Sequence, residues 1–496
     1  MGDRVGIRRS GRANARSPSR TFILFAPVLT AGAACRSALV RENDRVSAKT
    51  RIVIVGGGPG GYEAALVATQ LGAEVTVIEE NGLGGAAVLT DVVPSKTLIA
   101  TADILATVGD SRELGIRGLG RVRADLGAVN RRVKGLALAQ SNDIRQRLEN
   151  EGVRVVEGRG VLEGPSRVRV GAHTFEADTL MVSTGAGPRE LPDARPDGER
   201  VLNWTQVYDL EELPEKLIVV GSGVTGAEFA SAYHALGAQV SLVSSRDRVL
   251  PGEDADAAEV LEQVFRRGGM EVLSRSRAQG VKRTDDGVVV TLADGRTVEG
   301  SHCLMAVGAV PNTSGIGLES AGVTLTASGH IEVDRVSRTT ARGVYAAGDC
   351  TGVFPLASVA AMQGRKAMWH SLGDAVSPLE LRLVSSNVFT SPEIATVGVT
   401  QAQVDAGLEA NVMKLPLATN PRAKMQGIHD GFIKLFASPS GRVLGGTVVA
   451  PRASELIHPV TLAVSTRLTV DEVASAFTVY PSISGSLAEV ARQLHS

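Results

Sequence analysis

RIVIVGGGPGGYEAALVATQLGAEVTVIEE, residues 51–80, reads as an apolar run, a glycine cluster, an amphipathic stretch and a second apolar run ending in acids. That order predicts strand, tight loop, helix, strand. In such a βαβ unit Gly56, Gly58 and Gly61 form G-x-G-x-x-G. The three glycines permit a sharp turn, the approach of a pyrophosphate, and close packing of helix on strand, with the helix N-terminus facing the phosphates. Glu79 closes the second strand, where an acid is placed to accept hydrogen bonds from a ribose. Residues 217–243 repeat the pattern as LIVV, GSGVTG, AEFASAYHALG and AQVSLV, with Gly221, Gly223 and Gly226 in the fingerprint. Gly56 and Gly221 stand about 165 residues apart, so the chain is expected to hold two dinucleotide-binding folds and two nucleotides. The second strand of the repeat runs into Ser244, Ser245 and Arg246 and carries no acid. Arg246, with Arg248 nearby, is suited to a 2′-phosphate, which favours NADPH over NADH while leaving use of both open.

Beyond the two units, GVVVTLADGRTVEG (287–300) reads as a hairpin around Asp294-Gly295, and GVYAAGD (343–349) as a buried strand. From about Leu381 strands (FIKLFA, VLGGTVVA) mix with amphipathic helices at 454–468 and 485–494, the pattern of an α+β domain. The expected class is α/β: two doubly wound Rossmann-like domains and a C-terminal α+β domain. The expected boundaries are 51–197 for the first nucleotide domain, 198–319 for the second, 320–378 for a return to the first, and 379–496 for the C-terminal domain.

At 496 residues the chain is long enough for about three domains. Its 52 basic and 53 acidic side chains give a net charge of -1, which offers no footprint for nucleic acid. Cys35, Cys303 and Cys350 form no disulfide framework and no CxxC spacing, which suits a reducing cytoplasmic setting. The eight histidines show no metal-ligand spacing, and no metal is expected. Residues 1–50 carry nine arginines between Arg4 and Arg45 around an apolar stretch from Phe22 to Ala34. That stretch is far shorter than the ~20 residues of a membrane span and is interrupted by Pro27, so no stable membrane insertion is expected. The segment is read as a disordered extension or as translation from an early start, with Val46 an alternative initiation site.

Several further motifs follow in order: PSK (94–96), STG (183–185), GSGVTGAE (221–228), VGAVPN (307–312), YAAGD (345–349) and FTSPEIATVG (389–398). With GGGPGGYEAA they make the chain from Arg51 onward resemble the flavoprotein disulfide reductases, the group of dihydrolipoamide dehydrogenase and glutathione reductase. The resemblance implies FAD at Gly56, Gly58, Gly61, Glu79, Gly160, Thr184, Gly185, Asp349 and Ala357. It implies NAD(P) at Gly221, Gly223, Gly226, Ser245, Arg246 and Gly308. It places Lys96 near the flavin N5, paired with Glu228, and makes the C-terminal residues the interface of a homodimer.

Two departures from the family decide the expected chemistry. The family's GGxCxxxxCxPSK is here Gly84 to Lys96 with Ala87 and Val92 at the thiol positions, and neither side chain can form a mixed disulfide. The family's His-Pro-Thr-x-Ser-Glu is here Tyr480 to Gly485, so the His-Glu acid/base dyad offered to the partner subunit is absent as well. What remains resembles the cysteine-less NAD(P)H quinone reductase branch: hydride from NADPH or NADH passes through FAD to a quinone-type acceptor. Lys96, Glu228 and Tyr480 are the expected catalytic residues, Tyr480 as a hydrogen-bond partner of a quinone carbonyl or alternatively as interface packing. Transhydrogenation between nicotinamide nucleotides needs the same two sites and no thiol. A flavin-bound sensor or subunit with little turnover is a third reading, weakened by the retention of Lys96 and Glu228.

Overall fold

The computed structural model describes residues 49–118 and 122–495. The expectations for the N-terminal extension, Val46 included, therefore lie outside the described residues but for the last two positions.

Arg51–Val55 is the centre of a five-stranded parallel sheet in the order 344–346, 179–182, 51–55, 74–79, 154–157. Its strands other than the edge strand 154–157 are buried almost end to end, with helices Pro59–Gln70 and Ala357–Ser371 packed on one face and the antiparallel strands 161–162, 167–170 and 173–176 on the other. Val344–Ala346, read from sequence as a buried strand, joins this sheet beside Thr179–Val182 and brings residues 343–349 back to the first unit. The second sheet repeats the arrangement around Lys216–Val220, in the order 271–273, 239–243, 216–220, 302–305, 201–203, again all parallel. The hairpin around Asp294-Gly295 is present, Val288–Leu292 pairing antiparallel with Thr297–Gly300.

Residues from Ser386 onward form an antiparallel five-stranded sheet, with Ala453–Thr466 and Gly485–Gln493 close to the helix ranges read from sequence. Ile457, Val460 and Ala463 from one helix and Leu487, Val490 and Ala491 from the other share a core with Ile433, Leu435 and Val448 of the sheet. Among the described residues one stretch, 85–109, is long and apolar enough to cross a membrane by length and composition. It consists of two helices, Gly85–Leu89 and Val92–Asp110, whose buried Leu98, Ile99 and Ala102 pack into the core with Phe229 and Ala230 of the second unit.

Candidate active site

The two glycine loops have the same stereochemistry. Gly56 (φ 101°) and Gly221 (φ 113°) make the turn in the left-handed region, where a Cβ would also lie 2.2 Å from Ser183 O or 2.1 Å from Ala306 O. A Cβ on Gly61 or Gly226 would fall 1.9 or 1.8 Å from the carbonyl oxygen of Gly56 or Gly221, so helix and strand touch there. On Gly58 and Gly223 a Cβ would meet no protein atom within 4 Å. Those two positions face open space, and Gly58 faces a cavity. Both are N-caps without a side-chain capping bond, on helices with no acid in the first turn. The free N–H groups of each helix start are thus available to an anion.

The cavity at the first loop measures about 690 Å³ and lies beyond the carboxyl ends of the central strands, where a doubly wound sheet takes its ligand. Gly56, Gly58, Glu79, Gly160, Thr184, Gly185, Asp349 and Ala357, assigned to FAD from sequence, all line it. Gly61 lies behind the wall as the packing glycine. Glu79 accepts hydrogen bonds from Gly57 N (2.6 Å) and Asn81 N (2.7 Å), so it fixes the loop. A carboxylate has about four acceptor positions, which leaves capacity for a ribose hydroxyl. Thr184 and Asn312 exchange side-chain to backbone bonds at 2.8 and 2.9 Å across the wall. Buried Gln363 accepts from Gly348 N at 2.9 Å and so holds the turn that presents Asp349, whose carboxyl is pushed up by burial. A cleft with an anion-ready helix start, an acid at the end of the second strand and the half-buried carboxyl of Asp349 fits FAD. When bound, FAD would supply hydride acceptance and two-electron transfer.

One part of the cavity wall is built by Ala86, Ala87, Thr90, Asp91 and Val92. Both residues at the thiol positions therefore face the cavity, and both are inert. Lys96 stands one helical turn beyond Val92 and is not part of the cavity wall. Its Nζ donates to Glu228 Oε2 at 2.8 Å and lies 4.8 Å from the Phe389 ring centroid, while Glu228 Oε1 accepts from Phe389 N at 2.9 Å. The pair expected from the motifs is formed, and Phe389, which sequence reading left without a role, locks it to the C-terminal domain. Asp91 was likewise passed over between Ala87 and Val92. Burial, and then Glu228 and Asp349, push its carboxyl up against the opposing pull of Lys96, to about 6. Tyr480 is 82% exposed and does not line the cavity of its own subunit. Cys350 is fully buried with its thiol pushed up to about 11, chiefly by burial, as suits a packing residue.

At the second loop the register pairs Val220 with Val243, so Ser244 is the counterpart of Glu79. Ser244 is buried and its hydroxyl shares a 2.7 Å hydrogen bond with Ser222. Ser245 and Arg246 are exposed, and Arg248 Nε is buried without a hydrogen-bond partner among the described residues. Gly308 (φ 96°) follows the adjacent strand His302–Met305 and accepts a backbone bond from Arg189.

Residues 50–364 match the family model "Pyridine nucleotide-disulphide oxidoreductase" and residues 384–491 match its dimerisation domain. A Mycobacterium tuberculosis (strain H37Rv) protein named NAD(P)H dehydrogenase (quinone) is 55% identical over 462 residues, covering 90% of this chain and 94% of that protein. The crystal structure of LpdA from Mycobacterium tuberculosis superposes with a TM-score of 0.86 at 54% identity, covering 90% of this chain and 100% of that one. A dihydrolipoyl dehydrogenase from Chlorobaculum parvum is 32% identical over 463 residues, covering 91% and 98%. With both family models matched in order and relatives aligned along nearly their whole lengths, the chain belongs to the pyridine nucleotide-disulphide oxidoreductases, enzymes that use FAD and NAD(P)H.

Proposed function

We propose that this chain is an NAD(P)H quinone reductase that works without a redox-active disulfide. The observation that carries the reading is the cavity wall, where Ala87 and Val92 occupy the two thiol positions. Electrons arriving there have no thiol to leave by, and the small side chains of Ala87 and Val92 suit a planar acceptor. The name of the 55% identical mycobacterial relative supports the same reading. The glycine loops hold the two nucleotides, and Lys96, fixed by Glu228 and Phe389, supplies positive charge near the reacting ring. Tyr480, exposed on its own subunit, is assigned to the cavity of a partner subunit in a homodimer, in keeping with the matched dimerisation domain. NADPH is the favoured donor, because the ribose position holds Ser244, bonded to Ser222, instead of a carboxylate, while Arg246 stands exposed beside it. The domain boundaries inferred from sequence are retained, as is a cytoplasmic setting, which two buried and unpaired cysteines suit.

The test is an anaerobic mixture of flavin-loaded protein and NADPH, followed by a benzoquinone or oxidised lipoamide. Bleaching of the flavin band by NADPH and its recovery with the quinone alone are expected. Recovery with lipoamide alone defeats the proposal, and recovery only with a thio-NAD analogue identifies a transhydrogenase.

A further inference from the structure

We propose that Asp91 is the acid that protonates the acceptor oxygen in the cavity beside Ala87 and Val92. The inference rests on the quinone-reductase reading above. Conversion of a quinone to a hydroquinone takes two electrons and two protons. One proton and both electrons arrive as the hydride equivalent that NAD(P)H supplies, which leaves one anionic quinone oxygen in need of a proton. Neither thiols nor an imidazole stand at the family's positions to provide it, since these are Ala87, Val92 and Tyr480.

Asp91 occupies the cavity wall between the two former thiol positions. It is also the N-cap of the 19-residue helix Val92–Asp110, yet its side chain accepts none of the helix N–H groups. Among the described residues its carboxyl has neither a hydrogen-bond nor an ion-pair partner. An aspartate at a helix start ordinarily caps it, so a carboxyl left uncommitted at the edge of a ligand cavity is free to act on what the cavity holds. The groups around it are Lys96 on its own helix, Glu228 from Val224–Leu236, Asp349 from the turn 349–351, and the buried Tyr208 from the turn 207–209. Burial, with the two carboxylates, outweighs Lys96 and holds the acid form up to about 6, near the working range of a general acid. In the step the carboxyl O–H bond breaks and a bond from that proton to the quinone oxygen forms. The carboxylate then takes a proton from solvent. The sum is NAD(P)H, one proton and quinone giving NAD(P)⁺ and hydroquinone.

The experiment compares wild type, Asp91→Asn and Asp91→Glu as flavin-loaded protein reduced with NADPH. Reoxidation is followed by stopped flow between pH 5 and 9, with a benzoquinone and with ferricyanide, which takes electrons without protons. Asp91→Asn is expected to slow the quinone reaction about a hundredfold more than the ferricyanide reaction. It should also abolish the rise in quinone rate as pH falls through about 6, and Asp91→Glu should recover part of both. A second readout is independent of turnover: the Tm of Asp91→Asn minus that of wild type should increase as pH rises from 4 to 7. Quinone rates that change with pH identically in wild type and Asp91→Asn, or a Tm difference that is flat with pH, overturn the assignment of Asp91. A quinone inert toward reduced wild type instead overturns the quinone-reductase reading, and Asp91 with it.

Discussion

Glu228 engages both carboxylate oxygens, one on Lys96 Nζ and the other on Phe389 N, and only 5% of its side chain is exposed. Lys96→Met strands that buried carboxylate beside an apolar chain. Loss of a hydrogen bond to a charged group costs about 1.5–3 kcal/mol, so urea unfolding should shift by roughly that amount, with slower flavin reduction by NADPH. At Arg246 the expected effect of Arg246→Ala is a larger rise in KM for NADPH than for NADH, measured by steady-state kinetics; equal changes would remove it from 2′-phosphate recognition. For Asp91 the sign follows from its raised value. The folded protein holds this proton more tightly than the unfolded chain, so the contribution to stability is full below pH 3.8 and is lost as pH rises through about 6. At neutral pH the charged form is a burden of roughly 3 kcal/mol, which Asp91→Asn relieves. The Lys96–Glu228 pair was legible because PSK and GSGVTGAE are local motifs. Asp91 was not, since its significance lies in the walls around it rather than in its neighbours along the chain.

Within each strand, loop and helix unit the three glycines have separable tasks, and substitutions should separate them. Gly61→Val drives a side chain into Gly56 O, with even the Cβ at 1.9 Å, and is expected to prevent folding, as judged by soluble yield. Gly58→Val meets no protein atom within 4 Å at its Cβ and is expected to fold while losing flavin, read from the ratio of flavin to protein absorbance. Retention of flavin by folded Gly58→Val would contradict the placement of a phosphate there. These elements were readable because a period change from strand to helix around clustered glycine is a local pattern. Finer detail was not legible: the sequence left Ser244, Ser245 and Arg246 together at the end of the strand, and it is the pairing of Val220 with Val243 that makes Ser244 the counterpart of Glu79. One residue's shift in a strand exchanges a buried side chain for an exposed one.

Across the whole molecule the nucleotide-binding part is tied to the C-terminal sheet by charge as well as by apolar packing. Lys434 lies 2% exposed on the strand Phe432–Ala437 and reaches Asp254 at 2.8 Å and Asp256 at 2.7 Å. Asp254 also caps the helix Ala255–Arg267. Sequence reading took FIKLFA simply as a strand, because the acids that make its lysine intelligible lie about 180 residues earlier. Lys434→Met leaves the carboxylates without their buried cation and should destabilise the fold by about 3–5 kcal/mol, measured by denaturant unfolding. The run from Phe477 to Tyr480 exposes Phe477, Val479 and Tyr480, as befits a surface covered in a dimer. Phe477→Asp is expected to shift sedimentation toward the monomer and to lower quinone turnover; an unaltered dimer would exclude this run from the interface. The paired hydroxyls of Ser222 and Ser244 carry a practical corollary for anyone redesigning coenzyme choice. A carboxylate introduced at 244 alone would collide with the hydroxyl that now fills its place, whereas glycine at 222 with glutamate at 244 copies the first loop in the second.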